Sequence, residues 1–116
     1  MAIDAPLSVE RKVGTTPGTL IFQLMGPVTL RNLFDLQPHL RSGDQPQVSI
    51  LDMSRVPYMD SSGMGAIVNY YTHCQRLGVK LIVAGVNVRV IELFKMTRVD
   101  TVIPLAVDVE AAEAGL

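Results

Sequence analysis

Several functions are excluded by what this sequence lacks. Tryptophan is absent, aromatic side chains make up 5% of the 116 residues, and charged ones 18%. An average globular chain carries about a quarter charged residues, so much of this one must be buried or face a partner. Ten basic residues stand against eleven acidic ones, for a net charge of −1. With no cluster of Lys or Arg, direct nucleic-acid binding is not expected. The single cysteine, Cys74, has no partner for an internal disulfide, which fits a reducing compartment. No apolar run approaches the roughly 20 residues that span a bilayer, so membrane insertion is not expected either. The amino terminus, Met1-Ala2-Ile3-Asp4-Ala5-Pro6, has an acid and a proline where a signal peptide has basic and then apolar residues. The reading is a cytoplasmic, soluble chain.

What is present is a hydrophobic fraction of 48%, enough for one packed domain over residues 1–116. Ser8 to Val13 alternates as a half-exposed strand. Gly14-Thr15-Thr16-Pro17-Gly18 is a turn, and Thr19 to Met25 is the returning strand of an antiparallel hairpin. Gly26-Pro27 stops it. From Pro27 to about Leu40, Leu30, Leu33, Phe34, Leu36 and Leu40 fall at broadly helical spacing, with Pro38 expected to disturb the last turn. Ser42 to Pro46 is a loop, and Val48 to Met53 a strand with both faces covered. After a connection over Ser54 to Asp60, the stretch Ser62 to Leu77 places Met64, Ile67, Val68, Tyr71 and Cys74 on one helical stripe, which Gly78 closes. Val79 to Ala84 is a buried strand, Asn87 caps a helix over Val88 to about Met96, Thr101 to Ile103 is a short strand, and Val107 to Ala114 a terminal helix. The order predicts one α/β domain with a core over about 8–105. Its sheet is mixed and mostly parallel, with an N-terminal antiparallel hairpin and about four helices.

Catalytic chemistry finds little support. His39 and His73 are far apart, and neither has Cys or an acid at ligand spacing, so no metal or cofactor is expected. A nucleophile elbow needs Gly two residues either side of the serine. Ser61 has Met59 and Gly63 there; Ser62 has Asp60 and Met64. Gly63-Met64-Gly65 begins a glycine pattern that Val68 breaks, and no P-loop lysine follows.

What remains is the segment Asp60-Ser61-Ser62-Gly63 at a helix start. One of the serines reads as the N-cap, a role Ser favours. The same place also suits a phosphate, which the exposed N–H groups and the helix dipole stabilise. Tyr58 and Met59 in the connection are candidates for an exposed contact surface. Val56 and Met64 read better as core. Gly63 and Gly65 weaken the helix and imply close approach of another backbone, from the fold or from a partner.

The stretch from Val48 to Gly65 resembles the STAS domain of bacterial anti-sigma factor antagonists. An apolar strand ending in Asp52 is followed by a short linker and Asp60-Ser61-Ser62-Gly63-Met64-Gly65. The likeness continues through Gly78 to Gly85 and the helix bearing Val90, Ile91, Leu93 and Phe94. It implies a protein that binds an anti-sigma factor with serine kinase activity and so frees a sigma factor. Ser61 would be the phosphorylation site that switches binding off, and a phosphoserine phosphatase would reverse it. Tyr58, Met59, Asp60, Ser62, Gly63 and Met64 would form or shape the partner surface, and the chain itself would catalyse nothing. The alternative within the family is a STAS scaffold subunit of a regulatory or membrane-transport complex. Two departures stand out: Thr29 replaces the acid that follows the family's second strand, and Arg98 stands where the family commonly has Gly. The exposed edge of the N-terminal hairpin also leaves a homodimer open.

Overall fold

The computed structural model describes residues 6–41 and 45–116; the amino-terminal segment discussed above, up to Ala5, and the loop residues Ser42, Gly43 and Asp44 lie outside the described residues. Among the described residues, five strands form one sheet in the order of the chain: β1 (Ser8–Val13), β2 (Thr19–Met25), β3 (Val48–Arg55), β4 (Lys80–Ala84) and β5 (Leu105–Ala106). β1 and β2 pair antiparallel, and every later pair is parallel. The helices are α1 (Leu33–Arg41), α2 (Ser61–Leu77), α3 (Val88–Met96) and α4 (Val109–Ala114). The expected α/β architecture, with its antiparallel hairpin leading into a parallel sheet, is the one observed.

Period-two alternation in the strands divides the core into two layers. Phe22 and Leu24 of β2, Leu51 and Met53 of β3, and Leu81 and Val83 of β4 face α1, α2 and α3. Those helices return Leu36 and Leu40, then Met64, Ile67 and Cys74, then Val90 and Phe94. Ile21, Ile50, Ile82 and Ala84 point to the other face, where Ala112 of α4 packs on them. Each fully buried Leu, Ile or Phe contributes about 1.5–3 kcal/mol relative to exposure. In the larger layer Ser49 and Tyr70 share a buried hydrogen bond of 2.7 Å between hydroxyls. Burial, only partly offset by that bond, pushes the Tyr70 phenol well above its ordinary value.

Several boundaries differ from the sequence reading. The helix expected from Pro27 begins at Leu33, after a single 3-10 turn over Leu30–Asn32. The reason is that Val28 is drawn into a parallel bridge with Met59, while the Asn32 side chain donates to the Pro27 carbonyl at 2.7 Å. α1 continues through Pro38. Leu30 and Phe34, read as part of its apolar stripe, are exposed, Phe34 by 85%. In α2, Tyr70 is buried where Val68 was expected, and Val68 faces outward. The strand expected over Thr101 to Ile103 is instead the end of a 3-10 turn (Val99–Thr101) and its exit. Ile103 plugs the core, its amide bonded to the Val99 carbonyl, and strand pairing resumes only past Pro104, at Leu105–Ala106. Three β-branched residues in a row favour a strand, but the preceding turn leaves them no neighbour to pair with. That turn opens on Arg98 at φ 61°, the left-handed backbone that glycine adopts without strain.

Candidate functional site

The segment singled out in the sequence sits where β2 and β3 pass out of the sheet. A register shift between Gln23 and Met25 re-aims the two chains there. They nevertheless stay laced: the Gly26 amide donates to the Arg55 carbonyl at 3.1 Å, Val28 to Tyr58 at 3.1 Å, and Asp60 back to Val28 at 3.3 Å. The connection before the serines is therefore a fixed ledge.

Asp60 is the residue on which the site turns. Neither serine is the N-cap of α2; Asp60 is, with extended backbone and its Oδ1 accepting from the Gly63 amide at 2.8 Å. A carboxylate suits this place because it also meets the positive end of the helix dipole. Its second oxygen accepts from the Leu30 amide at 3.2 Å. One side chain thus caps α2 and the 3-10 turn ahead of α1. The turn's own N-cap residue, Thr29, makes no side-chain cap. Thr29 is buried, and among the described residues its hydroxyl has no hydrogen-bond partner.

With Asp60 in that role, Ser61 becomes the first residue of α2 and is exposed, while Ser62 is partly covered. Gly63 is buried because it must be small: a Cβ there would clash with the Val28 carbonyl oxygen. The backbone that approaches Gly63 is thus the chain's own. Gly65 is different, being exposed with nothing within 4 Å of an added Cβ. Met64 is core at 4% exposure. Of the named surface candidates, Tyr58 and Met59 are half-buried at the ledge, and Asp60 is exposed. Gly63 and Met64 shape the ledge from beneath.

A second clamp comes from α3. Asn87 caps that helix as expected, its Oδ1 accepting from the Val90 amide at 2.9 Å. Its Nδ2 also donates to the carbonyls of Val56 (3.2 Å) and Pro57 (3.0 Å), which ties α3 to the serine ledge. Beside it the Arg89 guanidinium lies over the Tyr58 ring, 5.7 Å from its centre. Sequence reasoning found the cap and missed the tie and the stacked arginine. An Asn cap followed by Arg two residues later was the only local signal for either.

Ser61 is thus exposed on a rigid platform, and His73 does not stand beside it. His73 stacks on Tyr70 along α2, twelve residues beyond Ser61 and about 18 Å away by helical rise. Among the described residues no three His, Cys, Asp or Glu side chains are grouped to hold a metal ion, and no helix is long and apolar enough to cross a membrane.

Comparison with known proteins places this geometry in context. The family model for the STAS domain matches residues 10–112. Among solved structures, a sulfate transporter family protein from Wolinella succinogenes is similar at 25% identity and a TM-score of 0.77, over 89% of this chain and 86% of that one. An anti-sigma factor antagonist from Mycobacterium paratuberculosis superposes at a TM-score of 0.84 and 16% identity, over 97% of both chains. The Bacillus cell fate determinant SpoIIAA in its phosphorylated form is similar at a TM-score of 0.70 and 15% identity, over 94% of this chain and 100% of that one.

Proposed function

The chain belongs to the STAS domain family, and on that premise we propose that it is an anti-sigma factor antagonist whose binding is switched off by phosphorylation of Ser61. In this reading it works in the cytoplasm. It binds an anti-sigma factor with serine kinase activity, releases the sigma factor that partner held, and is restored by a phosphoserine phosphatase. It performs no catalytic step; the nucleotide is the kinase's.

The observation that carries this reading is the placement of Ser61. It is exposed at the first position of a seventeen-residue helix, beside a carboxylate that already fixes the local backbone. A phosphate there would be stabilised by the helix terminus. It would also add about −1.5 to −2 charges next to Asp60, which a partner packed on an uncharged hydroxyl would not tolerate. Tyr58, Met59 and Asp60 supply the adjoining contact surface, with Ser62 beside them and Gly63 and Met64 setting its shape. Gly65, with open space above it, lets a partner's backbone approach. The similarity to the Mycobacterium antagonist and to SpoIIAA, the latter solved in a phosphorylated form, supports the same role.

Titration calorimetry with the kinase partner tests it. Ser61→Ala is expected to keep its affinity on addition of ATP, whereas Ser61→Asp loses at least about tenfold, or 1.4 kcal/mol, without ATP. Equal affinities for the two variants would exclude the switch.

A second reading, a STAS scaffold subunit of a regulatory or membrane-transport complex without a kinase cycle, is favoured by the similarity to the Wolinella protein and by the buried Thr29. Affinity capture from the native cell separates the two, since its companions would include no anti-sigma kinase.

A further inference from the structure

We infer that β1 is a self-pairing edge. Two copies of this chain join β1 to β1, antiparallel about a two-fold axis at Arg11, and so fuse their sheets into one.

The direction of the backbone groups comes first. The Gly14 amide donates to the Thr19 carbonyl at 2.9 Å, extending the register in which Val13 faces Leu20. In an antiparallel ladder the hydrogen-bonded pairs alternate. Lys12, Glu10 and Ser8 therefore turn their N–H and C=O groups toward β2. Val9, Arg11 and Val13 turn theirs outward, to an edge where, among the described residues, no strand pairs. All of β1 except half-buried Val9 is exposed, and Val13 is 80% exposed. The opposite edge of the sheet, β5, is two residues long and offers no comparable ladder.

The side chains then select the occupant and the register. A two-fold axis normal to the sheet keeps each face on its own side, so facing residues must be both odd or both even. Centred on Arg11, Val9 faces Val13 of the second copy and Arg11 faces itself, which brings the outward N–H and C=O groups together as hydrogen-bonded pairs. Glu10 then faces Lys12 of the second copy, twice over, in the closer non-hydrogen-bonded positions with Cα atoms about 4.5 Å apart. Opposite charges at such positions attract, and like charges repel. Centred on Glu10, the pairing sets that residue against its own copy. Centred on Lys12, it does the same to the lysine. Only the Arg11 register matches the charges. The two arginines need not collide, because each guanidinium is drawn over Phe22 of its own sheet, 5.8 Å from the ring centre. Charges on an edge strand ordinarily deter pairing; here registers centred on Glu10 or Lys12 set like charges together, those centred on Val9 or Val13 gain no charge pair, and the Arg11 register alone joins opposite charges.

Sedimentation equilibrium of the full chain is expected to show a reversible monomer–dimer system. Lys12→Glu should raise the dimer dissociation constant about tenfold, since both cross-strand pairs become repulsive. Adding Glu10→Lys to it should restore the constant. Arg11→Pro should abolish the dimer, because it removes an outward N–H while leaving the β1–β2 bonds intact, which circular dichroism checks. Because Arg11→Pro bears on folding as well, a cross-link fixes the register independently. Chains carrying Glu10→Cys and Lys12→Cys should form a disulfide when mixed and not separately, the native Cys74 being buried. A monomer at every concentration overturns the proposal, as does a dimer that is indifferent to charge reversal and does not cross-link between unlike chains.

Discussion

Asp60 joins two elements through two oxygens, and that division can be measured at the scale of the single residue. Asp60→Asn keeps an acceptor for the Gly63 amide but cannot offer a second to Leu30. Asp60→Ala offers neither. The expected losses of unfolding free energy are about 1 kcal/mol for the first and about 2 kcal/mol for the second, read by urea denaturation. Equal losses would contradict the double cap. Arg98 is the converse case, a residue whose backbone is at φ 61° without glycine's freedom. Arg98→Gly is expected to raise stability by about 1 kcal/mol, seen as a higher Tm. The sequence suggested this strain from the family's glycine at the same place. It did not show Asp60 as the cap, because Ser and Asp are equally favoured there and only the backbone of the ledge decides between them. Nor did it show Asn87 as a tie, because the carbonyls it reaches, Val56 and Pro57, lie about thirty residues away in the chain.

Among the elements, α2 shows how one helix serves packing on one side and leaves the other open. Gly63 and Gly65 lie two residues apart, and Gly63 abuts the Val28 carbonyl while Gly65 meets nothing. Gly63→Ala is expected to destabilise the fold by at least about 2 kcal/mol through overpacking. Gly65→Ala should instead stabilise it by about 1 kcal/mol, the propensity gain of an exposed helical site. If a partner backbone uses that opening, the same variant binds it less well, so stability and affinity move in opposite directions. Thermal melts and partner titration of both variants check this. Element types were legible wherever the period was long and regular: α2, α3, β3 and β4 stand close to where periodicity puts them. It failed where tertiary pairing outranked local preference. Val28 bridges to Met59 instead of starting α1, and Phe34 falls on the exposed side of its helix because the turn at Leu30 rotates the stripe.

For the whole molecule, the two-layer core sets how stability responds to pH. Burial favours the neutral Tyr70 phenol, whose ordinary value is 10.0, so the folded chain holds its proton after the unfolded chain has lost it. Stability from this group is full below about pH 10 and falls as pH rises beyond it. Denaturation between pH 8 and about 11 should show that decline in the native chain and a shallower one in Tyr70→Phe. The fold was readable at this scale because alternation of strands and helices leaves few ways to build a right-handed parallel sheet. The proposed role rests on the serine segment, since the physical reading alone allowed Ser61 to be a plain structural residue. What the structure adds is that Asp60 does the capping and leaves the Ser61 hydroxyl outside it. In the proposed function this hydroxyl is the switch. Incubation with the partner kinase and ATP, followed by phosphopeptide mapping, tests it most directly. One phosphate per chain is expected, on Ser61 and absent from Ser61→Ala; a phosphate on another residue, or none with a kinase active on itself or a control substrate, would overturn the switch.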